Sequence, residues 1–303
     1  MLARLSLPVR RLTPKTNIHH LANYLARFRY LPSFTTMLRD INYGVRFVLD
    51  YSQRNLTYPS KDKLVALSGI AEQMVQILGD SYAASFFTRT LPWSLMWRTS
   101  RTDQISGRLR LAEPKRAPSW SWAKVDGPVY FSMRREEDLA NRYSPGDFSM
   151  LKDVHVTLVD DSNKFGQVRS AALTLWGPTA FAKPKSTPMD ESGMWDPDAD
   201  PDVLWYIDGT PADKVIDMED IVISMDTPVT AEEAARGFFL CPTVAKTAWG
   251  QNSPTDWEAL ILEKVEAVHN KAQTYYIRIG ARETPTKWLN LIKGTRVKAI
   301  TIV

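Results

Sequence analysis

The chain of 303 residues contains one cysteine, Cys241, so it can form no internal disulfide and no cysteine-built metal site. A lone thiol fits a reducing compartment. Histidine is nearly as scarce, and His19, His20, His155 and His269 are too scattered for zinc-ligand spacing. No apolar run approaches the roughly 20 residues a membrane span requires, and the sequence therefore reads as a soluble, cytoplasmic protein. It has no Gly-x-Ser-x-Gly elbow, no phosphate-binding glycine loop and no dinucleotide fingerprint. Without those signatures the expectation is a non-enzyme, with no cofactor and no bound metal.

What the sequence has in excess is aromatic bulk. Ten tryptophans favour a β-rich core or a surface built for contact. The apolar fraction of 44% and charged fraction of 24% are ordinary for a globular chain, and the length allows one large domain or two smaller ones. The net charge of +4 conceals an asymmetry: through Arg54, nine basic residues face only Asp40 and Asp50, giving +7 and leaving −3 for the remainder. The acidic counterpart runs from Asp190 to Glu233, where Lys214 is the only basic residue. If the basic arm docks on that acidic loop, the contact weakens with salt. A basic arm also suits nucleic acid, an anionic membrane or organelle import. Nucleic acid is disfavoured, because no aromatic interleaving or reading motif accompanies the charge. Residues 1–40 resemble a mitochondrial presequence in composition, which makes mitochondria the alternative compartment. Pro8 and Pro14 interrupt any longer helix there, and a poorly ordered leader is the preferred reading.

Residues 41–113 follow a helical pattern. Val45, Val48 and Leu49 fit one short helix. A second begins after Pro59, with Ser60 as its cap and Asp62 favouring the dipole, and buries Leu64, Leu67, Ile70, Met74, Ile77 and Leu78. Gly79-Asp80 ends it, and Tyr82, Phe86, Leu91 and Leu95 suggest a third through Trp97, kinked near Pro92. From 114 to 303 the pattern turns to short strands with Gly and Pro breaks. They fall at Trp120-Ser121-Trp122, Val129–Phe131, Val154–Val159, Ala171–Trp176, Ile221–Met225, Gly237–Cys241, Tyr275–Ile279 and Val297–Val303. Ala259–Val268 fits helix or strand equally well. The expected fold is α+β: a helical N-terminal segment packed on a mostly antiparallel, sandwich- or barrel-like region, with an acidic loop at about 190–220.

The densest motif is Ala117-Pro118-Ser119-Trp120-Ser121-Trp122-Ala123, followed by Asp126-Gly127-Pro128. It closely resembles the stretch that follows the HET domain in fungal heterokaryon-incompatibility proteins. Three further stretches are similar to that family, in the right order: Tyr51-Ser52 through Pro59 and on to Asp62-Lys63-Leu64 and Ala66-Leu67-Ser68-Gly69; Leu91-Pro92 with Leu95-Met96-Trp97-Arg98; and Tyr276 with Arg278-Ile279-Gly280. The resemblance covers residues 43–303. The family's defining HET domain, which lies before this region and has been likened to TIR domains, finds no counterpart in residues 1–42. The resemblance implies a truncated family member: a non-enzymatic recognition or regulatory region linked to non-self recognition and cell death in fused hyphae. Its implied partner is a protein, other family members included. The rival readings are a ligand-binding β-module using exposed tryptophans, an enzyme built on an unrecognised carboxylate pair, and a remnant without independent function.

Trp120, Trp122 and Asp126 are the candidate ligand- or partner-binding residues, since paired tryptophans offer contact area at low entropic cost. Same-face tryptophans serve a core equally well. Asp126 with Ser119 or Ser121 has the composition of part of a triad, yet Asp-Gly-Pro is first a turn. Glu113, Glu136, Glu137 and Asp138 supply further carboxylates. Asp196, Asp198, Asp200 and Asp202 alternate as calcium ligands do, but a calcium loop counted from Asp196 would place Pro201 and Ile207 where glycine and glutamate are required. A solvated loop is expected there. Cys241, beside Phe239, Leu240 and Pro242, reads as a small buried hydrophobe.

Overall fold

The computed structural model describes residues 44–54, 56–112, 115–131, 149–197, 205–207, 222–246, 256–265, 274–285 and 297–303. The leader, the two N-terminal histidines, His269, Glu113, residues 136–138 and most of the acidic loop lie outside the described residues.

Helix α1 covers residues 44–52. Helix α2, Pro59–Leu78, starts with proline at its first turn and stops at Gly79, whose φ of 60° lets its N–H reach the Val75 carbonyl. Tyr58, not Ser60, occupies the cap position and makes no side-chain capping bond. Leu64, Leu67, Ala71 and Met74 form the buried stripe, joined by Lys63, whereas Ile77 is exposed.

The expected third helix is absent. Tyr82–Ala83 (β1) and Phe86–Phe87 (β2) pair as a hairpin, and Ala84 and Ser85 both take positive φ in its turn. This is the primed geometry that matches strand twist. Single-turn 3-10 segments follow at Thr88–Thr90 and Trp93–Met96. Apolar residues at helical spacing here face a shared core from a tight, irregular path. Short strands β3 (Trp97–Arg98), β4 (Arg110–Leu111), β5 (Val125–Asp126) and β6 (Tyr130–Phe131) pair as β3 with β6 and β4 with β5. Between β3 and β4 lies the short helix α3, Arg101–Ile105. The Trp120–Trp122 stretch is not a strand: Trp122–Lys124 form a 3-10 turn capped by the Ser121 hydroxyl, which accepts the Ala123 N–H at 3.1 Å.

The remaining strands build one open sheet of nine. They are β7 (Met150–Leu158), β8 (Val168–Gly177), β9 (Ala180–Pro184), β10 (Trp205–Ile207), β11 (Val222–Met225), β12 (Phe238–Lys246), β13 (Asp256–Val265), β14 (Tyr275–Pro285) and β15 (Lys298–Ile302). Helix α4, Ala231–Arg236, sits between β11 and β12 and is opened by a Thr230–Glu233 capping box. The sheet order is β10-β9-β12-β13-β14-β15-β8-β7, and β11 lies against β14. Pairings are antiparallel except β14 with β15. The sheet is thus mixed and open, not closed into a barrel. Ala259–Val265 lies within β13 and is strand.

One core cluster joins Leu64 and Leu67 of α2, the Trp97, Trp120 and Trp122 group, and sheet residues Leu173, Cys241, Leu260 and Ile300. A second gathers Trp195, Ala234, Phe238, Trp257 and Ile261. Among the described residues no helix is long and apolar enough to cross a membrane.

Candidate functional site

Strand β14 changes neighbours halfway along. Its first residues, Tyr275 and Tyr276, pair with β15, while Gly280 to Glu283 pair with β11. Opposite, the register against β13 shifts between Ile261 and Leu262, which leaves Ile279 as an extra, bulged residue. A bulge re-aims the side chains around it, and the one beside it is Arg278. Backbone groups at the changeover need partners from elsewhere.

They come from the tryptophan motif. The Ser119 hydroxyl accepts the Arg278 N–H at 3.0 Å, and the Lys124 ammonium donates to the Arg278 carbonyl at 2.8 Å. Asp226 donates its N–H to the Ile279 carbonyl at 2.8 Å. The wholly buried Arg278 guanidinium meets the Asp226 carboxylate at 2.5 Å and donates to the Trp97 carbonyl. Its centre stands 3.6 Å from the Trp97 ring centroid, a cation–π contact. Lys124 reaches the same Asp226 oxygen at 2.8 Å, and Trp97 Nε1 donates to the Trp120 carbonyl at 3.0 Å. Burial lowers the pKa of Lys124, while Asp226 opposes that shift. Two cations sharing one buried carboxylate hold the sheet to the segment above it. Gly280 is required here, because an added Cβ would stand 2.6 Å from the Ser224 carbonyl oxygen on β11.

This arrangement settles where the sequence candidates lie. Trp120 and Trp122 are 0% exposed. Trp120 stacks at 6.1 Å on Phe86, and Trp122 is flanked by the Tyr51 ring at 6.0 Å and the Lys63 ammonium at 4.9 Å. Neither indole turns a face to solvent. Ser119 is occupied by Arg278 and the Val303 carbonyl, and Ser121 by Ala123 and by the Ser85 hydroxyl at 2.8 Å. Neither serine meets Asp126, which takes Arg116 at 2.5 Å. His155 is exposed on β7 and pairs with Asp153 at 2.7 Å. Asp196 pairs with Arg101 at 3.4 Å. Cys241 is buried, and burial pushes its thiol up to about 11.

Asp126 does line an open cleft of about 450 Å³. The end of α1 gives Tyr51, Ser52 and Arg54 to it; the start of α2 gives Pro59 and Lys63; the loop after α3 gives Gly107 and Arg108, and β4 gives Arg110; β5 gives Asp126, and the turn after it Gly127 and Pro128. Local forces fix each wall. Ser52 accepts the Val129 N–H at 3.1 Å, and Tyr51 donates its hydroxyl to the Lys63 carbonyl at 3.1 Å. Arg110 and Asp126 are direct cross-strand partners of the β4–β5 pair. Gly127 has φ of +121°, and a Cβ there would overlap the Arg108 carbonyl oxygen. Only glycine lets the two loops close the cleft. Sequence reading singled out Asp126 but missed Lys63, Arg108 and Arg110, since nothing in their spacing shows that two loops and two helix ends converge.

The floor of the cleft is electrostatically unusual. Lys63 is 3% exposed, donates to the Val125 carbonyl and lies 3.9 Å from Asp126. Burial first, then Arg116, lowers its pKa to about 7, with Asp126 opposing. Arg116, also buried, spends Nε on the Ala123 carbonyl and Nη2 on Val125 and Asp126, and its Nη1 has no partner among the described residues. The described residues hold no cluster of ligand-type side chains able to bind a metal ion. Comparison with protein-family models, with curated proteins and with solved structures finds no match for this chain.

Proposed function

We propose that this chain is a non-enzymatic recognition or regulatory region of the heterokaryon-incompatibility type, acting in non-self recognition by binding rather than by catalysis. One observation carries the reading. The charged and hydroxyl side chains of its most distinctive motifs are consumed in fixed structural contacts, while the polar concavity they frame is open and lined by Arg54, Lys63, Arg108 and Arg110. A catalytic centre needs a nucleophile or base free to move a proton, with its partner within reach. Ser119, Ser121 and Asp126 are each engaged by other groups. A binding region needs an accessible, chemically distinctive surface, which the cleft provides.

The proposed setting is the cytoplasm, and the proposed macromolecular partner is another protein of the same family. The test is to express the chain beside an intact family member in a fungal host and score death of fused hyphae. Altered death that disappears with the Arg108→Glu/Arg110→Glu double variant supports the reading. Death scores unchanged by the wild-type chain, together with failure to co-purify with the intact relative, would overturn it.

A further inference from the structure

The cleft that supports the binding role also has a definite chemical preference, and its assignment to a ligand class rests on that reading. Its walls and floor bring five basic side chains together: Arg54, Lys63, Arg108, Arg110 and, behind Asp126, Arg116. Three carboxylates answer them. Asp50 pairs with Arg54 at 2.6 Å, Asp103 with Arg108 at 3.0 Å, and Asp126 with Arg116 at 2.5 Å. Asp62, on the first turn of α2, also acts electrostatically on Tyr51 of the cleft wall, so among the described residues the basic side chains outnumber the carboxylates by one.

The placement of the excess matters as much as its size. Lys63 is driven into the floor by the helix that carries it, at the cost of removing an ammonium from water. A buried cation gives a stable arrangement when an anion answers it, and the nearest carboxylate, Asp126, is 3.9 Å away and already committed to Arg116. The Arg116 Nη1 donor is buried beside them without a partner among the described residues. Asp103 is itself divided, accepting the Tyr130 hydroxyl at 2.8 Å as well as Arg108. At the rim, Arg110 is exposed and forms no ion pair among the described residues.

We infer that the cleft is a binding site for a phosphate-bearing small molecule, held by Lys63 from the floor and by Arg108 and Arg110 from the rim. Guanidinium forks match phosphate oxygens in pairs, and an ammonium supplies a point charge to the same group. The volume of about 450 Å³ suits a small organic phosphate and falls within the range of ligand clefts. Pro59, Pro128 and the half-buried Tyr51 ring add an apolar wall for the body of the molecule. A loose ion atmosphere would need only exposed charge; this site has at its base a buried amine held by the Val125 carbonyl and the Trp122 ring, whose nearest carboxylate is 3.9 Å away and shared with Arg116.

The probe is inorganic pyrophosphate, titrated calorimetrically into the full chain at low salt, with sodium chloride at equal ionic strength as the control. The expected result is saturable one-site binding that chloride does not reproduce. Arg110→Glu, which removes a rim cation with no ion pair to lose, should weaken binding at least tenfold, and Lys63→Met likewise. Arg169→Glu, at an exposed strand position that does not line the cleft, should leave it within twofold. Circular dichroism and the unfolding midpoint establish that each variant is folded, and Arg110→Glu alone suffices if Lys63→Met is not. No saturable binding at millimolar pyrophosphate overturns the inference, as does binding that Arg110→Glu leaves intact. Should pyrophosphate fail while a family protein still binds in a manner abolished by the Arg108→Glu/Arg110→Glu variant, the ligand class is wrong and the recognition reading stands.

Discussion

Asp226→Asn is the most direct test of how the molecule is held together. The substitution keeps the shape of the side chain and removes its charge. Asp226 is 1% exposed and Arg278 is 0% exposed, so solvent screens neither. One oxygen, Oδ2, receives Arg278 at 2.5 Å and Lys124 at 2.8 Å. Asparagine would leave two cations with no carboxylate between them. Exposed ion pairs contribute about 0–1 kcal/mol, whereas removing one partner of a buried pair costs about 3–5 kcal/mol. Burial decides for the second figure, and that is a large fraction of the roughly 5–15 kcal/mol by which domains are stable. Guanidinium unfolding followed by circular dichroism and tryptophan fluorescence measures the loss. Two accompanying results are expected. Adding Arg278→Met to Asp226→Asn should recover stability, because it removes the stranded charge. The deficit of the single variant should also narrow as pH rises. Burial already lowers the pKa of Lys124, and Asp226 is the main group opposing it; without Asp226 the folded state gives up that proton sooner than the unfolded chain, so stability climbs with pH. A loss below about 1 kcal/mol, independent of pH, would refute the account of the buried cluster.

Lys63 makes the native protein itself pH-sensitive. Its pKa falls from 10.5 to about 7, so between those values the unfolded chain binds more protons and stability should rise with pH, by on the order of a few kcal/mol. Lys63→Met should flatten that slope in unfolding curves measured from about pH 7 to pH 10. Gly127→Ala should cost about 3 kcal/mol or more, since it combines a φ of +121° with overlap onto the Arg108 carbonyl oxygen; an unchanged melting temperature would show that the two loops do not meet. Cys241 is buried with its thiol pushed up to about 11. Alkylation of the native protein at pH 8 should therefore be at least about 100-fold slower than that of a free thiol, with full reactivity returning in denaturant.

Strands were more legible in the sequence than helices. Val154 to Val159 alternates, and β7 carries the pattern as one exposed and one half-buried face. Leu64, Leu67 and Met74 recur with helical period, and α2 buries them on one side. The segment from Tyr82 to Trp97 misled because its apolar residues satisfy a three-to-four spacing by coincidence. The hairpin turn at Ala84-Ser85 lacks the glycine or asparagine that usually marks positive φ, so no local signal announces it. The ambiguous run that begins at Ala259 is strand through Val265, where its described residues end, because β13 lies between β12 and β14, paired on both sides. Continuous hydrophobicity is what a doubly paired, buried strand shows, and it erases the period that would identify it.

The site was illegible for a different reason. Asp126 is 74 residues beyond Ser52 in sequence and 16 beyond Arg110, yet all three line one cleft, and no spacing rule connects an α1 terminus to a β5 turn. The resembling stretches contain residues of two kinds. Trp97, Ser119, Trp120, Arg278 and Gly280 complete the changeover on β14, where shape and hydrogen bonding leave little freedom. Ser52, Pro59, Lys63 and Gly127 shape the cleft. The first group is demanded by backbone groups that must be satisfied whatever the protein does. Its strings therefore speak to a fold and carry little about chemistry. The second group includes a buried lysine that the changeover on β14 does not require, and a structure seldom keeps an ammonium under such desolvation without a use for it. Function should accordingly be sought at Lys63 and the arginines around it, rather than at the tryptophans that make the sequence conspicuous.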